Sequence, residues 1–136
     1  MPEMPYVLML ESDSDDLYFT EATLSEIGSQ VPVKFVSNSN DLIGYLATEW
    51  KPSLILLSHN AYPLNALELM KQIKNNPEYS AIPVVILSEN LTPEYVRYCY
   101  RSGANSVITK PSSVEGTQHK IRTFLNYWFQ VVELGT

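Results

Sequence analysis

Three uninterrupted apolar runs constrain this chain more than any other feature: Tyr6-Val7-Leu8-Met9-Leu10, Leu54-Ile55-Leu56-Leu57 and Val84-Val85-Ile86-Leu87. A strand with one wet face alternates apolar and polar residues, whereas a continuous apolar run is expected of a strand covered on both faces. A fourth segment, Val31, Val33 and Phe35, alternates with more polar positions and reads as an edge strand. Ser106 to Thr109 is a short fifth strand.

Helix signals separate these strands. Asp13 or Ser14 caps a first helix that carries Leu17, Ala22, Leu24 and Ile27, with Asp15 and Asp16 at the positive end of its dipole and Gly28 as its stop. A short helix runs from about Asn40 to Ala47. Asn65 and Glu68 have the spacing of a cap and its third helical position, opening a helix through Ile73. Thr92-Pro93-Glu94 starts the next helix, with proline at its first position, and Gly103 ends it. Ser112 and Glu115 form a capping-box pattern for a long final helix.

Strands alternating with helices predict an α/β fold: a doubly wound, five-stranded parallel sheet with helices on both faces. The 136 residues are read as one domain spanning 1–136, with no linker dividing it. Apolar residues at 45% and charged residues at 18% are globular proportions. A formal net charge of −6 argues against nucleic acid or an anionic membrane as partner. The single cysteine, Cys99, allows no internal disulfide and agrees with a cytoplasmic location. No signal peptide opens the sequence, and no apolar run approaches bilayer length.

In open parallel sheets the functional crevice lies beyond the carboxyl ends of the strands. That rule singles out Glu11, Ser12, Ser58, Ser88 and Lys110. The segments Val7–Asp16, Pro52–Asn60, Ile82–Ser88 and Ser106–Pro111 together resemble the receiver domain of two-component response regulators, whose fold is flavodoxin-like. The run Lys71–Pro77 followed by Ile82–Ser88, and the aromatic stretch Phe124–Phe129, are similar to small stand-alone receivers partnered with phytochrome-type histidine kinases.

In that family a carboxylate ending the third strand accepts a phosphoryl group, and two acids after the first strand help to hold Mg²⁺. A Ser or Thr ending the fourth strand and a Lys ending the fifth contact the phosphoryl oxygens. By resemblance Ser88 and Lys110 take the last two roles and Glu11 is the first acid. Ser12 stands where the second acid is expected, and Ser58 stands at the phosphoacceptor position. Two missing carboxylates imply weak Mg²⁺ binding and no ordinary phosphoaspartate cycle. The neighbouring loop, Ala61-Tyr62-Pro63-Leu64-Asn65-Ala66, has its proline one place late and lacks the family's glycine. Asn60 belongs to the residual pocket, and Val107 stands where the family often has an aromatic switch. The resemblance also implies a cis Lys110–Pro111 bond.

Plainer readings cover the remaining features. Asp13, Asp15 and Asp16 are explained by capping and dipole compensation. Glu11 and Lys110 make a buried or half-buried ion pair. Ser58-His59 is no nucleophile–base pair, because adjacent strand residues face opposite ways and no oxyanion motif surrounds them. His119 is a solvated helix residue, and the two histidines and one cysteine make no metal site. In the final helix Ile121, Phe124, Leu125, Trp128, Val131 and Val132 fit one apolar face, leaving Tyr127, Phe129 and Leu134 outside it. With Tyr95 and Tyr98 these form a candidate interface. The expectation is a degenerate stand-alone receiver without an output domain, neither an enzyme nor a cofactor or metal binder. It acts by contact with a histidine kinase, a downstream effector or a second copy of itself. The alternative is a flavodoxin-like flavin or small-molecule binder, or an enzyme on that fold. The acidic stretch Glu11 to Asp16 opposes it, because a phosphate loop belongs there.

Overall fold

The three apolar runs become the three central strands. The structure, a computed structural model, describes residues 4–28, 30–89, 91–110 and 114–135. Among them the chain alternates β1 (Val7–Leu10), α1 (Ser14–Ile27), β2 (Val33–Val36), α2 (Ser39–Thr48), β3 (Leu54–Ser58), α3 (Ala66–Asn75), β4 (Val84–Ser88), α4 (Pro93–Arg101), β5 (Ser106–Thr109) and α5 (Val114–Asn126). A π-helical turn, Tyr127–Val131, continues α5. All strand pairs are parallel and the order is β2-β1-β3-β4-β5, so the less apolar β2 and β5 are the edges.

Successive strand residues point to opposite faces and feed two cores. Leu8, Leu10, Ile55, Leu57, Val84 and Ile86 pack with Leu42 and Leu46 of α2, Leu69, Met70 and Ile73 of α3, and Cys99 of α4. Val7, Leu54 and Val85 pack on the other face with Leu24 of α1 and with Leu125 and Trp128 at the chain's C-terminal end. The helix signals act as the sequence implies. Asp13 accepts from the Asp15 and Asp16 amides, and Gly28 ends α1 at φ 63°. Asn65 and Glu68 form a reciprocal capping box, and Thr92 caps α4 ahead of Pro93. Ser112 and the Lys110–Pro111 bond lie outside the described residues.

The end of the chain departs from the sequence expectation. Regular helical spacing places Phe129 and Leu134 away from the sheet and Val131 on it. Instead Phe129 and Leu134 join Val132, whose place there is expected, on the second core, while Val131 is 67% exposed. At Phe129 and Val131 the cause is the π turn, whose wider i→i+5 closure (the Val132 amide donates to the Tyr127 carbonyl) shifts the helical phase, while Leu134 lies past the turn, after the extended Val132. Tyr127 is left at 52% exposure, its ring edge-to-face against buried Trp128.

This packing gives a measurable contrast. Trp128→Ala is expected to lower the unfolding free energy in urea by about 3–5 kcal/mol. Phe129→Ala should also destabilise, whereas Tyr127→Ala should cost less, about 1 kcal/mol, for the lost edge-to-face contact with Trp128. Equal effects at 127 and 129 would contradict the inward rotation.

Candidate functional site

A buried carboxylate lies at the centre of the crevice. Glu11 directly follows β1 and is 1% exposed. An ionised carboxylate in such a place needs a cation and hydrogen bonds. Lys110, directly after β5, supplies the cation: its Nζ is 2.8 Å from Glu11 Oε1. The Lys110 amide donates to the Ser88 carbonyl at 2.9 Å, which holds the backbone from which the side chain reaches inward. Glu11 Oε2 accepts the Asp13 amide at 3.1 Å.

The same ammonium holds a second carboxylate. Lys110 Nζ donates to Asp16 Oδ2 at 2.8 Å. Asp16 lies in the first turn of α1, where its amide donates to the Asp13 cap at 3.0 Å. The cap thus fixes the start of the helix, and the start of the helix aims Asp16 at Lys110. The sequence reading of Asp16 as mere dipole compensation is corrected here, since its side chain also closes an ion triad across 94 residues of separation. Burial opposes the charge on Lys110, but the hydrogen bonds to Asp16 and Glu11, with the charges behind them, outweigh it and raise its pKa.

The two serines turn to local partners. Ser58 closes β3, fully buried, and its Oγ donates to Asn60 Oδ1 at 2.6 Å. Ser12 Oγ donates to the Ser37 carbonyl at 2.8 Å, toward the loop after β2. Ser88 is buried at the end of β4. The loop after β3 is tied to α2 through the Ser39 amide, which donates to the Tyr62 carbonyl, and the Leu64 amide, which donates to Ser39 Oγ; its Tyr62–Pro63 bond is cis. His59 lines an open cleft of about 470 Å³ with Asn65, Ser88, Thr92 and Tyr95.

The five aromatic and apolar surface candidates divide. Tyr95 packs against the first core, where burial, then Cys99, pushes its phenol up to about 12. Phe129 and Leu134 pack on the second core. Tyr98 and Tyr127 stay about half exposed, and Lys71 Nζ sits 5.2 Å from the Tyr98 ring centroid.

Sequence comparison matches residues 7–122 to the response regulator receiver domain. The chain belongs to that family. As a receiver it is a component of two-component signalling. Curated relatives include the probable methanogenesis regulatory protein FilR2 of Methanothrix harundinacea, 23% identical over 93% of this chain and 85% of that protein. The response regulator Rcp1 of Synechocystis is 29% identical over 62% of this chain and 57% of its own length. The fold matches the phosphorylated cyanobacterial phytochrome response regulator RcpA at a TM-score of 0.87 and 24% identity, covering 98% of this chain and 100% of that one. It also matches RPA3017, a response regulator in red light signaling of R. palustris, at 0.90 and 19%, covering 98% and 99%. Among the described residues no helix is long and apolar enough to cross a membrane.

The receiver's ion triad has a direct test. Lys110→Met leaves Glu11 buried without a cation and should cost about 3–5 kcal/mol of stability. Asp16→Asn removes a partner that is 40% exposed and should cost about 1 kcal/mol or less. Because the folded pKa of Lys110 is raised, its contribution is fully present below the unfolded lysine pKa and is lost as pH rises through the folded value. The stability gap between wild type and Lys110→Met should therefore persist at neutral pH and narrow in strong alkali. A gap that closes near pH 7 would contradict the triad.

Proposed function

We propose that this receiver is a degenerate signalling adaptor that works by binding, without an enzymatic step and without a phosphoaspartate cycle. The observation that carries the proposal is Ser58, a buried neutral hydroxyl bonded to Asn60 at the end of β3. A serine hydroxyl is not an ionised oxygen donor at neutral pH, and this one already spends its proton on a neighbour.

The donor set does not fit Mg²⁺. A hard dication takes several oxygen ligands, usually with one or two carboxylates free to face it. The two acids nearest the crevice, Glu11 and Asp16, both face the Lys110 ammonium. Ser12 bonds toward Ser37 instead. Among the described residues no group of three His, Cys, Asp or Glu side chains is placed to hold a metal ion. On this reading the ammonium does the electrostatic work that a metal does elsewhere in the family. It joins β1, β5 and the start of α1, so the domain is held in one conformation or switched by something other than phosphorylation of an aspartate.

The partner on this reading is a protein: a histidine kinase, a downstream effector or a second copy of the chain, met in the cytoplasm. RcpA is a phytochrome response regulator, which makes a phytochrome-type kinase a specific candidate. Tyr98 and Tyr127 remain exposed for such a contact.

Incubation with acetyl phosphate and Mg²⁺, followed by intact-mass measurement, tests the reading. No gain in mass is expected from the wild-type protein, and the combined Ser12→Asp and Ser58→Asp variant shows whether the restored carboxylates accept a phosphoryl group. A wild-type protein that gains one phosphoryl group would refute the proposal.

A further inference from the structure

We propose that the open edge of β2 accepts a basic, extended peptide segment as an additional strand of the sheet. This inference does not depend on the chemistry of the crevice. Among the described residues the sheet ends at β2, which pairs only with β1. The Pro32 and Val36 carbonyls accept from the Val7 and Glu11 amides, so the backbone groups at these even positions face β1. Alternate residues of a strand in a parallel ladder bond to opposite sides, so the N–H and C=O of Val33 and Phe35 face outward. An extended chain laid along that edge meets both a donor and an acceptor at each of these residues, which is the basis of recognition by strand addition.

The ground beside this edge is shaped and charged. On the α2 side lies an open groove of about 610 Å³, lined by Phe35, Tyr45, Asp41 and Glu49 among others. Positions 41, 45 and 49 follow one another at helical spacing, so α2 and its C-cap direct two carboxylates and a half-buried aromatic ring toward the strand. On the α1 side a smaller groove of about 260 Å³ is lined by Glu21, Val33 and again Phe35. Phe35 lies between the two grooves and borders both. Three carboxylates therefore flank the edge, against one ammonium on the strand itself, the exposed Lys34.

Charge complementarity selects the occupant. A second copy of this chain would bring its own three carboxylates against these, inside a protein of net charge −6. An acidic peptide would meet the same repulsion. A segment alternating apolar and basic residues places apolar side chains on Phe35 and Tyr45 and basic ones near Asp41, Glu49 and Glu21. Lys34 follows the common use of an edge lysine to discourage indiscriminate strand pairing, and it weakens the attraction without reversing its sign.

The test uses a short, end-capped peptide of alternating valine and lysine, titrated into the full chain with amide resonances and hydrogen exchange as readouts. Shifts centred on β2, with slowed exchange at the Val33 and Phe35 amides, are expected. Glu21→Lys and Glu49→Lys, both at exposed positions, should each weaken binding by roughly two- to five-fold, and Lys34→Glu should strengthen it by a similar factor. The same peptide methylated on every backbone nitrogen keeps its charge but loses its donors, and should not bind. Equal binding of the methylated peptide, equal binding of a valine–glutamate peptide, or shifts confined to other surfaces would each overturn the proposal. So would a dimer already protecting the Val33 and Phe35 amides without peptide.

Discussion

The Glu11 carboxylate is the constraint around which the crevice is built. A buried ionised group is tolerated only where a counter-charge and hydrogen bonds replace its lost water. One lysine meets that requirement, and it comes from the far end of the sequence. Parallel strands carry their carboxyl ends to the same side of the sheet, so the residues following β1 and β5 face the same crevice. The strand order then decides what lies between them: β3 and β4, ending in Ser58 and Ser88. Asp16 joins from above because the Asp13 cap fixes the first turn of α1. Two carboxylates share one ammonium, and the whole of this electrostatic cluster rests on the register of a sheet held together by apolar packing.

That separation of roles makes the fold of a receiver independent of which side chains stand at its strand ends. The residues that close the two cores lie within the strands and on the inner faces of the helices. Ser12 and Ser58 lie at strand ends and satisfy themselves locally, against Ser37 and Asn60. A buried hydroxyl with a hydrogen-bond partner costs little, whereas an additional buried carboxylate beside Glu11 would need a cation of its own. Serine at these positions is consistent with a crevice that already holds as much negative charge as Lys110 can balance.

Most of the fold was legible because local chemistry and tertiary need agree. The continuous apolar runs are the central strands for the reason that a strand with two neighbours and two helical layers meets no water. Asp13, Asn65 with Glu68, and Thr92 with Pro93 mark helix starts because their bonds lie within a few residues of themselves. What was not legible depends on contacts remote in sequence or on a change of helical geometry. Asp16 already has a sufficient local explanation, so nothing in the acidic run announces its bond to Lys110. The fate of Phe129 depends on a π turn, which shifts the phase of the helix without any proline or glycine to mark it, and Leu134 lies past the end of the helix altogether. A projection at regular spacing assigns these residues to solvent, and the apparent excess of exposed apolar surface on the final helix shrinks to Tyr127 and Val131.

A receiver that does not cycle through phosphorylation has a restricted way to signal. A ligand shifts a conformational equilibrium only by the difference in its affinity for the two states. If Lys110 holds β1, β5 and α1 in one arrangement, that difference has little to act on, and the quantity left to vary is occupancy. Output then follows the concentration and affinity of whatever binds, and competition between partners becomes the means of control. On that proposed reading, surfaces that a switching receiver rearranges would stay displayed. If the β2 edge accepts a basic strand as proposed, long-range attraction would recruit the partner and backbone pairing would then test its shape.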